Sequence, residues 1–459
     1  MKMNLILLAA VAMSVTIPVF ATPEIVNMNL VRDPNTHLVT ISYDLSEDAI
    51  VTAQVFTNGV ALPHAAYGNM GGKVHRTVKQ GTGHQVWWNP PTREVDALVA
   101  GGGAEVKLSA WAKDNPPDYL AIDLLATNCW RFYVTAEDVP LGVTNRLYKS
   151  SKMLMRKIYA KDITWPAGIS SDRMDGSQTY GTNTLHRPHY VTLTYNYYIG
   201  IYEVTYSQYR NASCYSYSGT TYAPDKETGT ITLSGQVCDI IPSDQKQAAF
   251  WPAPWLAPSD MRGRDPTSAY WPKHGHNVPA ASGLGYFRKR TGLNLDLTTE
   301  AEWEYACRAG ESKNLYTGEP FLSENVDTLA WSAHNWNRDP DCSSNQLHEV
   351  GLLKPNAWGL YDMLGNGFEV CLDAMNNDDS GTDVVDFYHG NSVTNPVGPA
   401  GSVSYRRARR GGGVFDSTTS NYTKGMAFNA SRADNRVNIS YTVQYPATAY
   451  RLALPAVIP

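Results

Sequence analysis

Leu297-Thr298-Thr299-Glu300-Ala301-Glu302-Trp303-Glu304-Tyr305-Ala306 is the stretch on which the fold turns. Thr299 with Glu302 three residues on has the spacing of a capping box, in which hydroxyl and carboxylate each satisfy an orphan backbone N–H at a helix start. Trp303, Ala306 and Cys307 then share one helical face and Gly310 supplies the stop, so the stretch predicts a short helix docked by its apolar side. Upstream, Thr205 and Gln208 repeat the box spacing behind Tyr198–Val204, and Pro188-His189-Tyr190-Val191-Thr192-Leu193-Thr194 alternates like a strand. Downstream follow Gly359-Leu360-Tyr361-Asp362-Met363-Leu364-Gly365-Asn366-Gly367-Phe368-Glu369-Val370-Cys371, then Arg409-Arg410-Gly411-Gly412-Gly413, then Tyr450-Arg451-Leu452.

The 459 residues are enough for two or three domains, and 43% hydrophobic with 18% charged content is the composition of a folded globular chain. Lys2 precedes an apolar run from Leu5 to Phe20, and Val19-Phe20-Ala21 offers a cleavage site, so residues 1–21 read as a secretory signal; a membrane anchor is the alternative. No later segment is long and apolar enough to span a bilayer as a helix. A formal net charge of −5 without a basic face argues against nucleic acid as a partner. The six cysteines (Cys129, Cys214, Cys238, Cys307, Cys342, Cys371) are an even number for an exported protein, with Cys214 and Cys238 the expected pair across a polar insertion.

Residues 22–114 have period two. Val39, Ile41, Tyr43 and Leu45 alternate with polar neighbours, Asn58-Gly59 is a hairpin signal, and Val106, Leu108, Ala110 and Ala112 alternate again. This predicts an all-β sandwich of immunoglobulin or fibronectin type with no clustered chemistry, a spacer or adhesion module. Asn115-Pro116-Pro117 breaks the pattern, and residues 115–150 read as a connecting segment. The second domain, residues 151–459, mixes strands and a few helices with much loop, as 36 glycines and 27 prolines in the chain suggest; its class is α+β.

Taken in order, Pro188–Tyr209, Leu297–Gly310, Pro355–Asp373, Arg406–Gly413 and Tyr450–Leu452 resemble the successive blocks of the formylglycine-generating enzyme family, also called sulfatase-modifying factors. The resemblance implies an elaborated C-type-lectin-like fold with little regular secondary structure. It implies as well a copper-dependent oxidase that converts the cysteine of a Cys-x-Pro-x-Arg segment of a sulfatase to formylglycine, with two cysteines after the glycine run holding Cu(I). Here Asp416 and Asn421 stand at those positions. Carboxylate and amide are hard oxygen ligands, so copper is not an expected cofactor and no catalytic residue is assigned. Cys307 and Cys371 read as packed thiols.

The family also implies one calcium on the Gly-Leu-Tyr block, carried here by Asp362, Gly365, Gly367 and Glu369. Hard oxygens from a tight turn suit that ion, and its role would be structural. The alternatives are solvated carboxylates, or Glu369 paired with an arginine.

Other signals carry less. His274-Gly275-His276 lacks a third ligand and reads as a loop. Asn376–Gly381 opens like an EF-hand but has Phe387 at the twelfth position, and Arg406–Gly413 lacks the ending of a phosphate loop. The expected function is therefore a secreted, non-catalytic domain that binds a protein, peptide or glycan through the polar, aromatic loop 413–450, with the copper oxidase as alternative.

Overall fold

A computed structural model describes residues 22–168, 189–213, 230–233, 236–239, 249–253, 256, 258–263, 278–312, 315–319, 323–332, 335, 347–374, 391–397, 407–414 and 448–459. The alternation near the N-terminus becomes two antiparallel sheets around one apolar cluster. One runs Ile25–Arg32, Val39–Leu45, Gly81–Trp88, Met70–Gly72; in the other, Ala49–Thr57 pairs with Val60–Ala61, Arg76–Val78 and Ala104–Trp111. Val39, Ile41 and Tyr43 are fully buried. Asn58 and Gly59 both take positive φ (52° and 76°), the backbone a tight two-residue hairpin needs, and they join Thr57 to its partner Val60.

The all-β expectation needs amending. Arg93–Ala100 is a helix, capped by the Thr92 hydroxyl on the Val95 N–H with Glu94 and Asp96 in its first turn.

A larger correction concerns residues 115–150. Tyr119–Asp123 and Trp130–Tyr133 form a hairpin inside a six-stranded sheet of order 130–133, 119–123, 152–158, 197–200, 452–455, 296–297. Leu120 and Ile122 face one apolar cluster, Tyr119 and Ala121 another, so both faces are covered and no polar alternation marked the strand. The first module is packed on this sheet. Ile50 enters its core cluster, and His75 and Phe132 exchange hydrogen bonds across the junction.

Both capping boxes form. Gln208 N–H donates to the Thr205 hydroxyl while Thr205 N–H donates to the Gln208 amide oxygen, at 3.2 and 3.0 Å. Glu302 N–H donates to Thr299 Oγ1 at 3.1 Å and Thr299 N–H to Glu302 Oε2 at 2.8 Å. The helix Glu300–Arg308 buries Trp303, Ala306 and Cys307 completely, and it ends on Ala309 in the left-handed region (φ 49°), one residue before the expected glycine. Among the described residues Cys129, Cys307 and Cys371 are free thiols; Cys214, Cys342 and the Cys238 side chain lie outside them, as do His274–His276 and Asn376–Gly381. No described helix is long and apolar enough to cross a membrane.

The Thr299 cap is buried and reciprocated, so Thr299→Ala is expected to cost about 1 kcal/mol in thermal or denaturant unfolding. Thr299→Ser, which keeps the oxygen, should recover most of it; equal losses for both would detach the cap from the stability of this helix.

Candidate functional site

The site is organised by the strand Phe368–Ala374. Arg407–Arg410 pairs with it antiparallel, opposing Glu369 to Arg410, and Thr448–Ala449 pairs with it in parallel. A turn leads in, with Asp362, Gly365 and Asn366 all at positive φ (53°, 76°, 58°). Aspartate, asparagine and glycine are the residues that tolerate that backbone, and a Cβ on Gly365 would stand 2.4 Å from the Trp331 carbonyl oxygen.

Asn366 is fully buried and every polar group it has is in use. Its N–H donates to Trp331 O and its C=O accepts from Val414 N–H, both at 2.9 Å. Its side-chain oxygen accepts from His348 N–H at 2.9 Å, and its amide nitrogen donates to Glu203 Oε2 (2.9 Å) and His348 O (3.3 Å). The His348 ring stacks on Trp331 with centroids 4.0 Å apart.

Beside this turn lies a buried set of charges. Arg451 donates through Nε and Nη2 to Glu369 at 2.6–3.0 Å, through Nη1 to Gly200 O and through Nη2 to Tyr361 O; Trp303 Nε1 donates to Glu369 Oε2 at 2.7 Å. Burial works against the guanidinium charge, but Glu369, Glu203 and Asp362 outweigh it and hold Arg451 above its ordinary range. Glu203, which also accepts from Gly367 N–H, is driven well up by burial and then by Glu369 and Asp362. Asp362 accepts from Gly351 N–H at 2.6 Å, and burial pushes it up to about 6.

Asp362, Gly365, Gly367 and Glu369, the calcium set implied by the resemblance, are thus brought into one buried turn. The donor types fit a hard cation, and three carboxylates face the Arg451 guanidinium and the Lys149 ammonium. Glu369 as placed does not, since Arg451 and Trp303 take both its oxygens, which is the arginine pairing weighed as an alternative. Among the described residues no group of three or more Asp, Glu, His or Cys side chains is arranged to hold a metal.

The glycine turn is fixed from two sides. Gly365 N–H donates to Gly411 O at 2.7 Å, and Gly411 and Gly412 take φ of 90° and 80°. Arg410, just before it, reaches Glu300 and Glu304 on the helix at 2.7 and 3.1 Å. Residues 415–447 lie outside the described residues, and with them Asp416, Asn421 and most of the loop 413–450. The two thiols near this centre are sealed: burial pushes Cys307 up to about 12 and Cys371 well above its ordinary range.

Sequence reasoning missed Glu203, Asn366 and Asp373. Glu203 had a signal, a lone carboxylate in the apolar run Ile199–Val204, which buried chains supply with donors. Asp373 Oδ2 accepts from Glu300 N–H at 2.7 Å, while its other oxygen has no partner among the described residues. Burial, followed by the Glu300 charge, pushes it up to about 8.

The chain matches the family described as "Sulfatase-modifying factor enzyme 1-like domain" over residues 170–438. It is 26% identical over 186 residues to a formylglycine-generating enzyme of Bos taurus, covering 38% of this chain and 47% of that protein. It is 36% identical over 85 residues to a protein of Paenibacillus barcinonensis named chaperone protein LppX, covering 16% and 30%. The chain thus spans less than half the length of these curated relatives. Among solved structures, Treponema denticola variable protein 1 aligns at 21% identity with TM-score 0.38 (66% of this chain, 95% of that one). PvdO of Pseudomonas aeruginosa aligns at 20% with TM-score 0.41 (66% and 94%).

The raised pKa of Asp373 fixes the sign of a pH effect. Its stabilising proton is fully held in both states below pH about 4, and the contribution is lost as pH climbs through about 8. Asp373→Asn, a neutral stand-in for the protonated acid, should therefore gain in Tm over the native chain as pH rises from 5 to 9. A difference independent of pH would show that this carboxyl titrates normally.

Proposed function

The chain belongs to the sulfatase-modifying factor family, and on that premise we propose a secreted, non-catalytic member that keeps the C-type-lectin-like scaffold and uses the loop 413–450 to bind a protein, peptide or glycan. One observation carries the reading: where the family's chemistry requires two thiols, the sequence has Asp416 and Asn421. Two thiols in the adjoining core are no substitute. Cys307 and Cys371 are fully buried and held protonated by that burial, whereas a Cu(I) centre needs accessible thiolates.

The rest of the centre supports a scaffold role. Glu369 is spent on Arg451, and Arg410 on Glu300 and Glu304. The glycine turn that precedes the loop is thereby anchored, which suits a variable loop on a rigid frame.

Purified protein given Cu(I) and a Cys-x-Pro-x-Arg peptide should form no aldehyde and bind no copper tightly, under conditions where the bovine relative serves as positive control. Aldehyde formation would restore the oxidase reading.

Calcium on Asp362, Gly365, Gly367 and Glu369 belongs to the same proposal, supported by the hard oxygen donors of this turn, and it requires Glu369 to give up its contacts with Arg451 and Trp303 to the ion. Calorimetric titration should give one calcium per chain and a Tm above that in EGTA, with Asp362→Asn abolishing both. Identical Tm in calcium and EGTA would leave Arg451 as the counter-charge of this turn and sink the calcium reading.

A further inference from the structure

Away from this centre, Ile163–Ala167, His189–Leu193 and Ser392–Thr394 form a small sheet with two unlike faces. Inward, the cross-strand row Trp165, Val191, Val393 packs into the core. Outward, the registers set two rows side by side: Pro166, Tyr190, Ser392 and Thr164, Thr192, Thr394. Tyr190 is 56% exposed at the middle of its row, and Thr164, Ser392 and Thr394 are exposed around it.

The chemistry of this face is uniform. Neither row contains an ionisable side chain apart from the tyrosine phenol. The Thr164 and Thr192 hydroxyls bond each other at 2.7 Å. The hydroxyls of Tyr190, Ser392 and Thr394 are committed to no group of the protein among the described residues. Strands lie about 4.8 Å apart and same-face neighbours along a strand about 6.6 Å, so the rows space hydroxyls around one aromatic ring on the scale of a single sugar ring.

We infer that this face binds a neutral saccharide, with a sugar ring lying on Tyr190 and its hydroxyls exchanging hydrogen bonds with Ser392, Thr394 and Thr192. An aromatic ring supplies apolar contact to the C–H face of a pyranose, and hydroxyls that both donate and accept match a ligand made of hydroxyls. An ionic ligand would find no counter-charge in either row. A purely apolar partner would leave the row of hydroxyls desolvated and unpaired.

The test uses the full chain with cellohexaose and maltohexaose as neutral probes and a galacturonic acid hexamer as the anionic one, followed by calorimetry and saturation-transfer NMR. The expected result is binding of a neutral hexamer and not of the anionic one, weakened at least tenfold by Tyr190→Ala. Ser392→Ala with Thr394→Val should weaken it several-fold, and Tyr190→Phe, which keeps the ring, should lose much less than alanine. Because Tyr190 is exposed, Tm should stay unchanged in all variants. No binding of either neutral hexamer, preference for the anionic one, or equal affinity in Tyr190→Ala would overturn the inference. Binding that persists in Tyr190→Ala would belong to another surface, such as the loop 413–450.

Discussion

The ion pair between Arg451 and Glu369 is the constraint around which the second domain is arranged. Both side chains are almost wholly excluded from water, where an isolated charge costs several kcal/mol. The structure offsets that cost by giving the guanidinium four oxygens on three segments, the carbonyls of Gly200 and Tyr361 and both oxygens of the Glu369 carboxylate. A charge that can be satisfied only when those segments are in register selects one arrangement over near alternatives. Removing one partner would strand the other, at about 3–5 kcal/mol in comparable buried pairs.

Asn366 does for the neutral groups what Arg451 does for the charged ones. It links the segments of Glu203, Trp331, His348 and Val414 through a single residue in a conformation that excludes most side chains. Leucine or valine there would lose the hydrogen bonds and be strained besides. Between them, these two residues fix the entry to the strand 368–374 and the start of the glycine turn. The centre therefore looks like one built to hold a shape.

What the sequence made legible follows from how local each signal was. Thr299 and Glu302 meet within one helical turn, and Val39, Ile41 and Tyr43 show their burial in their own alternation, so both were readable. The strand 119–123 was not, because burial on both faces erases the period that marks a strand. Arg451 lies in the short stretch Tyr450–Leu452, and nothing near it in sequence identifies Glu369, far away in the chain, as its partner. Asp373 and Glu203 are the same case: a carboxylate's environment is set by elements distant in sequence, and a one-dimensional pattern carries no trace of it. Asp416 and Asn421 are the reverse, informative through identity alone.

The position of the strand Leu452–Pro455 has a consequence for how this chain is made. It lies inside the six-stranded sheet, between 197–200 and 296–297, and is paired on both sides. At about 5–20 residues per second, the residues separating Gly200 from Leu452 take on the order of tens of seconds to synthesise. Throughout that interval Tyr198 and Ile199 present an unpaired edge, and the Arg451 charge that locks the centre has not yet been made. The six-stranded sheet is complete only once the strand 452–455 has joined it, and until then the edge of 197–200 must be kept from pairing with a neighbouring chain.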